Sequence, residues 1–259
     1  MIRICLVGGL GRMGRAIAEA AQAVEDVAIV AVWEHPDLLA SHPDYALETK
    51  YSRNEVVVTD TGKVAAQGCD VIVDFSSPAV FERVVGVAYE LEKPLVTGTT
   101  GIKSKSSRLE DLARKVAVVD APNMATGVNV LFKLAEVAGR ALGGVADIEI
   151  VEAHHRTKKD SPSGTALRLG KILSEITQAE VVSRESAPER GGEIRIHSLR
   201  MGSVPGLHSV NFAMEGEVLE IRHTALSRLC FATGAIRAAV FASHASPGLY
   251  DMRDVLGLR

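Results

Sequence analysis

A run of residues in the middle of the chain combines side chains that move protons with groups that bind anions. It is Glu152-Ala-His154-His155-Arg156-Thr-Lys158-Lys159-Asp160-Ser-Pro162-Ser163-Gly164-Thr165-Ala166. Imidazoles and ammonium groups exchange protons near neutral pH once their surroundings tune them. The Ser-Gly-Thr turn opens a predicted helix, whose first N–H groups add hydrogen-bond donors and partial positive charge. The run therefore predicts an enzyme site for an anionic small molecule.

Parts of this run also have a structural interpretation. A His-His pair usually packs in the fold, and two adjacent lysines usually form a solvated face. The Pro-Ser-Gly-Thr sequence that follows favours the active-site interpretation for His154 and Lys158. For Arg156 and Lys159, solvent-facing and cofactor-phosphate roles both stay open.

The N-terminus carries a glycine-rich pattern typical of dinucleotide binding. Two overlapping spacings, Gly9-x-Gly11-x-x-Gly14 and Gly8-x-x-Gly11-x-x-Gly14, follow a predicted strand and open a predicted helix. Glycine permits a sharp turn and a close approach of backbone to a pyrophosphate, and the last glycine permits tight packing of helix on strand. Such a turn can be a mere connection, but its position between strand and helix favours a cofactor loop. The residues predicted to bind the dinucleotide here are Gly8, Gly9, Leu10, Gly11, Arg12, Met13 and Gly14.

The next predicted strand ends in a carboxylate, Glu34, twenty residues after Gly14. A carboxylate at this place accepts hydrogen bonds from ribose hydroxyls and repels a 2′-phosphate. Its neighbour is His35, mostly neutral at pH 7, where an arginine would favour that phosphate. A solvated glutamate is the alternative interpretation. We predict that the cofactor is NADH and/or NADPH, with NADH used at least as well.

Two further turns follow buried strands, at 98–101 and 121–124. In a parallel sheet such strand ends line the crevice where a nicotinamide would lie. Each turn is ordinary by itself, and together they predict one edge of a cofactor site. The predicted cofactor-binding residues there are Gly98, Thr99, Thr100, Ala121, Pro122, Asn123 and Met124.

The first 120 or so residues alternate short β-branched runs with amphipathic stretches. The predicted strands are 2–7, 27–33, 56–59, 71–75, 95–97 and 117–119, and the predicted helices are 12–23, 78–90 and 106–115. Strands that alternate with helices imply a parallel sheet covered on both faces, and right-handed crossovers make it doubly wound. The fold class predicted for this region is α/β, with a Rossmann-type dinucleotide-binding domain over residues 1–125.

The pattern changes after Asn123. Predicted helices at 128–142 and 165–176 flank a strand at 148–153, and strands at 193–199, 209–214 and 217–223 follow with short turns. Consecutive strands with short turns favour antiparallel or mixed pairing. We therefore predict a smaller α+β domain with a mixed sheet over 126–234, with 187–192 as the most mobile loop. The last stretch, 231–243, is predicted as a helix followed by a short tail.

Composition excludes several other classes. The formal net charge of −3 over 259 residues argues against nucleic-acid binding, which usually needs a basic excess. No apolar run approaches the length of a membrane span, and the N-terminus lacks the features of a signal peptide. Cys5, Cys69 and Cys230 are scattered in apolar surroundings, which predicts reduced thiols in a cytoplasmic protein without a metal site. His208 and His223 are predicted to pack within strands.

These motifs resemble those of the 4-hydroxy-tetrahydrodipicolinate reductase family, also called dihydrodipicolinate reductases, of bacterial lysine and diaminopimelate synthesis. The long run from Glu152 to Ala166 is the most specific of them. The other matching segments, in order, are Gly11–Arg15, Asp74-Phe75-Ser76, Gly98–Gly101, Asn123 with Gly127–Asn129, and Tyr250–Leu256. The chain departs from common family forms at Gly9-Leu10, where Ala-Gly is usual, and at Met124, where an aromatic residue is frequent.

The resemblance implies NAD(P)H-dependent reduction of a cyclic, dicarboxylated imine-type substrate. It implies that His154 is the acid/base residue, that Lys158 donates a proton, and that His155, Ser163, Gly164 and Thr165 bind the substrate. Phe75 joins the cofactor-binding residues on the same basis. The resemblance further implies a homotetramer formed through the second domain, and a C-terminal segment, 235–259, that returns to the first. Two alternatives stay open: another imine or aldehyde oxidoreductase on the same scaffold, and a non-catalytic dinucleotide-sensing protein.

Overall fold

The computed structural model describes residues 1–41, 56–102, 107–183 and 192–259. Contacts between residues divide the chain into two units: unit 1 is Met1–Thr126 with Arg228–Arg259, and unit 2 is Gly127–Ser227. The predicted division at 125/126 and 234/235 differs from these junctions by one residue and by seven. The functions assigned to the two regions stay predictions.

The elements of both units follow in chain order. The strands are β1 Ile2–Val7, β2 Val27–Trp33, β3 Val57–Thr59, β4 Val71–Asp74, β5 Leu95–Thr97, β6 Ala117–Asp120, β7 Asp147–His154, β8 Val181–Val182, β9 Ile194–Arg200, β10 Gly206–Met214, β11 Glu217–Ala225 and β12 Gly248–Tyr250. The helices are α1 Arg12–Gln22, α2 Pro36–Ser41, α3 Gly62–Gln67, α4 Pro78–Glu90, α5 Ser107–Ala113, α6 Thr126–Leu142, α7 Gly164–Thr177, α8 Leu229–His244 and α9 Met252–Leu256.

Unit 1 is built on a parallel sheet of seven strands in the order β12-β6-β5-β4-β1-β2-β3. Side chains of β1 alternate between two apolar layers: Ile4 and Leu6 pack with α1 and α8, whereas Cys5 and Val7 pack with α4 and α5. Since both faces are covered, the strands are apolar on both sides. The predicted Rossmann-type, doubly wound sheet is confirmed.

Unit 2 has a sheet of five strands in the order β11-β10-β7-β9-β8. Strand β10 runs antiparallel to β7 and β11, whereas β9 runs parallel to β7 and β8. Helix α7 packs on β7 and β9. The sheet is therefore mixed, as predicted.

The C-terminal segment differs from the prediction of a helix followed by a tail. After α8, residues Gly248–Tyr250 form β12, which pairs with β6 at the edge of the unit 1 sheet. Helix α9 then begins with a capping box between Asp251 and Asp254. A strand of three residues is too short to show periodicity, so the sequence pattern missed it. The predicted mobile loop lies outside the described residues except for Gly192.

Further observations bear on the predictions from composition. Within the described ranges, no helix is long and apolar enough to cross a membrane. Cys5 and Cys69 are buried and Cys230 is partly exposed, and all three are free thiols.

Candidate active site

The register of the unit 2 sheet brings together residues that are far apart in the sequence. Glu152 on β7 lies opposite His208 on β10, and His154 at the end of β7 lies opposite Arg200 on β9. Because strand residues alternate, Glu152 and His154 project from the same face. The two strands beside β7 therefore add an arginine and a third imidazole to the predicted run.

Glu152 is the centre of this cluster, with 0% of its surface exposed. One carboxylate oxygen, Oε2, lies 2.5 Å from Nδ1 of His154 and accepts a hydrogen bond from Nη1 of Arg200 at 3.1 Å. The other, Oε1, accepts from Nη2 of Arg200 at 2.9 Å and from the backbone N–H of Ser163 at 3.2 Å. We call Glu152, His154, Ser163, Arg200 and His208 the Glu152 cluster.

Burial and hydrogen bonding act in opposite directions on the charges of this cluster. Burial disfavours the ionised carboxylate of Glu152, but hydrogen bonds from Arg200 and His154 outweigh it and hold the pKa of Glu152 below its usual value. Burial lowers the pKa of His154, and the carboxylate of Glu152 only partly compensates. The cluster thus contains an anionic carboxylate beside an imidazole whose proton is easily lost.

The predicted Ser-Gly-Thr turn begins α7. Ser163 is the N-cap, and its Oγ accepts a hydrogen bond from the N–H of Ala166 at 3.2 Å. Its Oγ also lies 3.0 Å from Nε2 of His208. Gly164 and Thr165 form the first turn of this helix, where backbone N–H groups favour a bound anion. The turn is therefore joined to the Glu152 cluster through both the backbone and the side chain of Ser163.

His208 was predicted only to pack within a strand, and its contacts go further. Its ring is 4% exposed and stands edge-on to that of His154, with ring centroids 5.1 Å apart. Burial and the nearby His154 lower the pKa of His208 to about 3, so the ring stays neutral at physiological pH. Nothing in a single sequence marks His208 or Arg200 for this place, because each reaches it only by strand pairing. His223, as predicted, packs from β11, where its ring lies against Gly127.

The loop between β7 and α7 holds the remaining predicted residues. Nζ of Lys158 lies 2.8 Å from Oδ2 of Asp160, in an ion pair between a largely buried lysine side chain and an exposed carboxylate. Oγ1 of Thr157 lies 2.8 Å from Nδ1 of His155, which orients that ring. Arg156 and Lys159 are exposed, which is compatible with both the solvent-facing and the cofactor-phosphate roles.

Unit 1 has its own candidate site at the carboxyl ends of its strands. Gly8 has a φ of +78°, a conformation that favours glycine, and a Cβ on Gly14 would lie 2.3 Å from the carbonyl oxygen of Gly8 and 2.4 Å from that of Gly9. Gly11 caps α1, whose first turn contains Arg12 and Met13 but no acidic residue. The loop is thus a tight backbone turn that leads into a helix N-terminus, as a pyrophosphate requires.

The carboxylate of Glu34 faces this loop. Its Oε2 accepts a hydrogen bond from the N–H of Leu10 at 2.8 Å, and its Oε1 accepts from the N–H of His35 at 2.9 Å. Each oxygen has a second lone pair, so the carboxylate can also accept from a ribose hydroxyl. Glu34 is buried and His35 is exposed. The glycine loop and Glu34 together fit the phosphates and ribose of a dinucleotide.

The other predicted cofactor residues continue along the same edge. The space beside Gly8 is bounded by the carbonyl of Phe75, and the ring of Phe75 fills the space beside Gly98. The N–H of Ala121 donates to the carbonyl of Thr97 at 3.0 Å, which joins the ends of β5 and β6.

The remaining four predicted residues of this edge differ in how much of their surface is exposed to solvent. Thr100 and Pro122 are exposed, and Oδ1 of Asn123 accepts from the N–H of Ala125 at 3.0 Å. Met124 is 1% exposed and packs in the core with α8. Its side chain therefore belongs to the packing of the domain rather than to an open surface.

A second buried carboxylate organises this edge. Asp74 is 0% exposed, and its oxygens accept from the hydroxyls of Ser76, Thr97 and Thr99 at 2.5, 3.0 and 2.8 Å. We call these four residues the Asp74 cluster. It holds the turns after β4 and β5 against each other, and so Thr99, predicted as a cofactor residue, has its hydroxyl turned inward.

Comparison with known proteins identifies the family. Family models described as "Dihydrodipicolinate reductase, N-terminus" and "Dihydrodipicolinate reductase, C-terminus" match residues 2–124 and 127–256. The 4-hydroxy-tetrahydrodipicolinate reductase of Thiobacillus denitrificans is 43% identical over 267 residues, covering 100% of this chain and 99% of that protein. That of Aromatoleum aromaticum is 40% identical over 266 residues, covering 100% and 96%.

Solved structures agree. The dipicolinate-bound dihydrodipicolinate reductase of Paenisporosarcina sp. TG-14 has a TM-score of 0.78 and 25% identity, covering 97% of each chain. A probable dehydrogenase from Thermotoga maritima has a TM-score of 0.63 over 99% of this chain at 11% identity, which shows a shared fold only. The full-length matches and both family models show that the chain belongs to the dihydrodipicolinate reductase family.

Proposed function

We propose that the protein reduces 4-hydroxy-tetrahydrodipicolinate to tetrahydrodipicolinate with NADH or NADPH, in lysine and diaminopimelate synthesis. The observation that carries this proposal is the Glu152 cluster, in which a buried Glu–His pair is bonded to the turn that begins α7, in a member of this family. The pair offers a proton and the turn offers donors to a carboxylate. A dicarboxylated imine needs both.

The substrate carboxylates bind to the turn and the loop before it. Gly164 and Thr165 contribute the first N–H groups of α7 and a threonine hydroxyl, Ser163 holds the turn through its own N–H bond to Glu152, and His155 adds an imidazole from the loop. Hydrogen bonds from such donors to a carboxylate are charge-assisted and therefore strong. These residues set the affinity for substrate more than the rate of the chemical step.

Proton transfer falls to His154 and Lys158. The product differs from the substrate by the loss of the 4-hydroxyl as water and the gain of a hydrogen, and it keeps its C=N bond, so one hydride and one proton are consumed. Hydride addition at the ring carbon conjugated with that C=N leaves negative charge shared with the ring nitrogen, which a proton must neutralise. His154 serves as the acid/base group, since burial keeps its pKa low enough for ready exchange. The ammonium of Lys158, oriented by Asp160, stabilises the negative charge as it develops and donates a proton.

The dinucleotide binds to unit 1. Gly8 to Gly14 and the start of α1 take the pyrophosphate, Glu34 takes the ribose with His35 beside it, and the edge from Phe75 through Gly98, Thr99 and Thr100 to Ala121–Met124 borders the nicotinamide. When bound, the reduced nicotinamide supplies the hydride.

NADH serves at least as well as NADPH in this proposal. The Glu34 carboxylate repels a 2′-phosphate, and the residue beside it is His35 rather than an arginine that would favour that phosphate. Steady-state kinetics with both cofactors measure this, and a hundredfold preference for NADPH would contradict it. We also propose, from family membership, a cytoplasmic homotetramer assembled through unit 2. Sedimentation of the purified protein tests the assembly.

The central experiment is an absorbance assay of NADH oxidation by the purified chain with freshly generated 4-hydroxy-tetrahydrodipicolinate. We expect turnover with this substrate and inhibition by a pyridine dicarboxylate. Turnover only with another imine or an aldehyde would indicate a different oxidoreductase on the same scaffold. Tight NADH binding with no turnover of any imine would indicate a sensing protein.

A further inference from the structure

The proposed function leaves three polar side chains of the Glu152 cluster without a role: Glu152 and His208, which are buried, and Arg200, which is partly buried. Of these, Glu152 contacts both parts of the proposed site, because one oxygen meets Nδ1 of His154 and the other meets the N–H of Ser163. Arg200 spans the two oxygens with a bidentate pair and is itself anchored to the carbonyls of Asp160 and Leu199, at 2.6 and 2.7 Å. The carboxylate is thus held rigidly from three sides.

The donor and acceptor properties of these groups determine the state of His154. An ionised carboxylate can only accept hydrogen bonds, and the arginine keeps Glu152 ionised. The ring nitrogen that faces it, Nδ1, must therefore carry a hydrogen. In neutral His154 the proton is consequently on Nδ1, and Nε2 is the nitrogen that gains or loses a proton.

Other charged or titratable groups act on the same ring. Arg200 approaches from β9, and Lys158, paired with Asp160, acts from the following loop; both cations lower the pKa of His154. His208 faces it edge-on from β10 and stays neutral. Glu152 from β7 is the group that stabilises the imidazolium. Nε2 of His154 faces Gly206, where an added Cβ would lie 3.3 Å from that nitrogen.

We propose that Glu152, clamped by Arg200, is a positioning residue that sets the tautomer of His154 and fixes the Ser163 turn in register with it. This inference rests on the proposed function, since it assigns His154 the proton transfer. One carboxylate would then align the proton-exchanging nitrogen and the carboxylate-binding turn. Such an arrangement resembles the orienting carboxylates of other catalytic histidines.

Glu152→Gln tests this with little change of shape. The amide nitrogen can replace Oε1 or Oε2. At Oε1 it would face two donors, Nη2 of Arg200 and the N–H of Ser163, whereas at Oε2 it faces one donor and the Nδ1 of His154. We therefore expect the amide NH₂ to turn toward His154, which forces the hydrogen to Nε2 and leaves the bond to Ser163 in place.

The expected result is a loss in kcat of about 10²-fold with KM for the substrate little changed, at the lower end of what removing a proton-transfer group does. Without the carboxylate the imidazolium loses its stabilising partner, so the pKa of His154 falls. The limb of the kcat–pH profile that titrates with His154 should consequently move to lower pH. Glu152→Ala also removes the acceptor for Ser163, and should raise KM as well as lower kcat.

Two variants serve as controls. Glu149→Gln removes a similar pair on the same strand, since Oε2 of Glu149 lies 2.7 Å from Nε2 of His197, and it should leave kcat and the pH profile unchanged. In the double variant His154→Gln/Glu152→Gln, the second substitution should cause no further loss in kcat, because Glu152 acts through His154. If Glu152 only stabilised the structure, the fold-losses in kcat of the two single variants should multiply in the double variant.

The outcomes separate this inference from the proposed function. If His154→Gln retains normal turnover, the assigned function of His154 is wrong. If His154→Gln is impaired but Glu152→Gln has the wild-type kcat and pH profile, only the positioning inference fails. Neutron diffraction from wild-type crystals gives a test that needs no variant. Hydrogen on Nδ1 supports the inference, and a neutral ring with hydrogen on Nε2 alone overturns it.

Discussion

Unit 1 and unit 2 each bury a carboxylate completely, and the two are satisfied in different ways. Asp74 in unit 1 accepts hydrogen bonds from hydroxyls and a backbone N–H, and no cation is among these partners. Glu152 in unit 2 accepts from an arginine, an imidazole and a backbone N–H. Both lie on β-strands near the end of the strand, β4 in one case and β7 in the other.

The partners indicate what each carboxylate does. Hydroxyl groups do not titrate near neutral pH, so the hydroxyl partners of Asp74 hold loops in place and place no titrating group beside it. Arginine keeps Glu152 ionised, and the group bonded to it is an imidazole, a side chain suited to proton transfer. We therefore expect changes around Glu152 to affect rates, and changes around Asp74 to affect stability and cofactor binding.

The largest effect is expected for the proton-transfer groups beside Glu152. His154→Gln or Lys158→Ala should lower kcat by about 10²- to 10⁴-fold, because each removes a positioned acid or base. Binding of NADH, measured by fluorescence titration, should survive in both variants. Near-normal turnover of both variants would contradict the expectation that the surroundings of Glu152 affect the rate whereas those of Asp74 affect stability.

Removing Asp74 should affect stability instead. Asp74→Ala leaves the buried hydroxyls of Thr97 and Thr99 and the partly buried hydroxyl of Ser76 without their acceptor, and we expect a loss of about 3 kcal/mol in the free energy of unfolding. Urea unfolding followed by circular dichroism measures this. Asp111→Ala is the matched control, since Asp111 on α5 forms an exposed ion pair with Arg114 just after that helix, and the loss should be below about 1 kcal/mol. Equal losses in the two variants would mean that the hydrogen bonds of the Asp74 cluster stabilise the fold no more than an exposed ion pair does.

The glycine loop gives a smaller effect in unit 1. A Cβ at Gly14 meets two carbonyl oxygens, and relieving such a clash takes about 1 to 3 kcal/mol. If this cost in free energy destabilises the NADH complex relative to the free protein, the affinity for NADH drops by about 10- to 100-fold. Gly68→Ala is the control, because no atom lies within 4 Å of the added Cβ. Calorimetric titration with NADH compares them, and unchanged affinity in Gly14→Ala would argue against the loop as the pyrophosphate site.

The smallest effect concerns the pH dependence of stability. Because the pKa of His208 falls to about 3 in the folded protein, the unfolded chain binds a proton there below pH 6.5 and the folded chain does not. Relative to the unfolded chain, the stability associated with the neutral ring of His208 is fully present above pH 6.5 and is lost as the pH falls toward 3. Between pH 6.5 and 5 the loss is about 1 to 2 kcal/mol. His208→Gln should flatten this part of the stability profile, as measured by urea unfolding, and an unaltered slope would contradict the buried neutral ring.

The sequence was most informative where a local pattern carries its own physical reason. Hydrophobic runs predicted β1, β2 and β5 to the residue, and the glycine spacing predicted the turn that precedes α1. The Ser-Gly-Thr turn was predicted to open a helix, and α7 does begin at Gly164. Resemblance to a family added the reaction and the roles of the site residues. The comparisons show that the chain belongs to this family, whereas the roles of individual residues stay predictions.

Prediction was weakest for elements and contacts that need a partner distant in the sequence. Strand β12 is too short to have a pattern of its own, and it exists because β6 offers an unpaired edge. His208 had no local signal beyond its position in a strand. Arg200 lies 48 residues from Glu152 in the chain and was not predicted to contact it.

The sequence alone therefore determined the alternation of strands and helices, the cofactor loop and the run from Glu152 to Thr165, because each depends on neighbours in the chain. Only the tertiary structure decided which of these residues are buried and what they are bonded to. The pairing of β7 with β9 and β10 sets a register, and that register brings an arginine and a neutral histidine to the Glu152 cluster. Strand register depends on packing across the whole sheet, so no local pattern contains it.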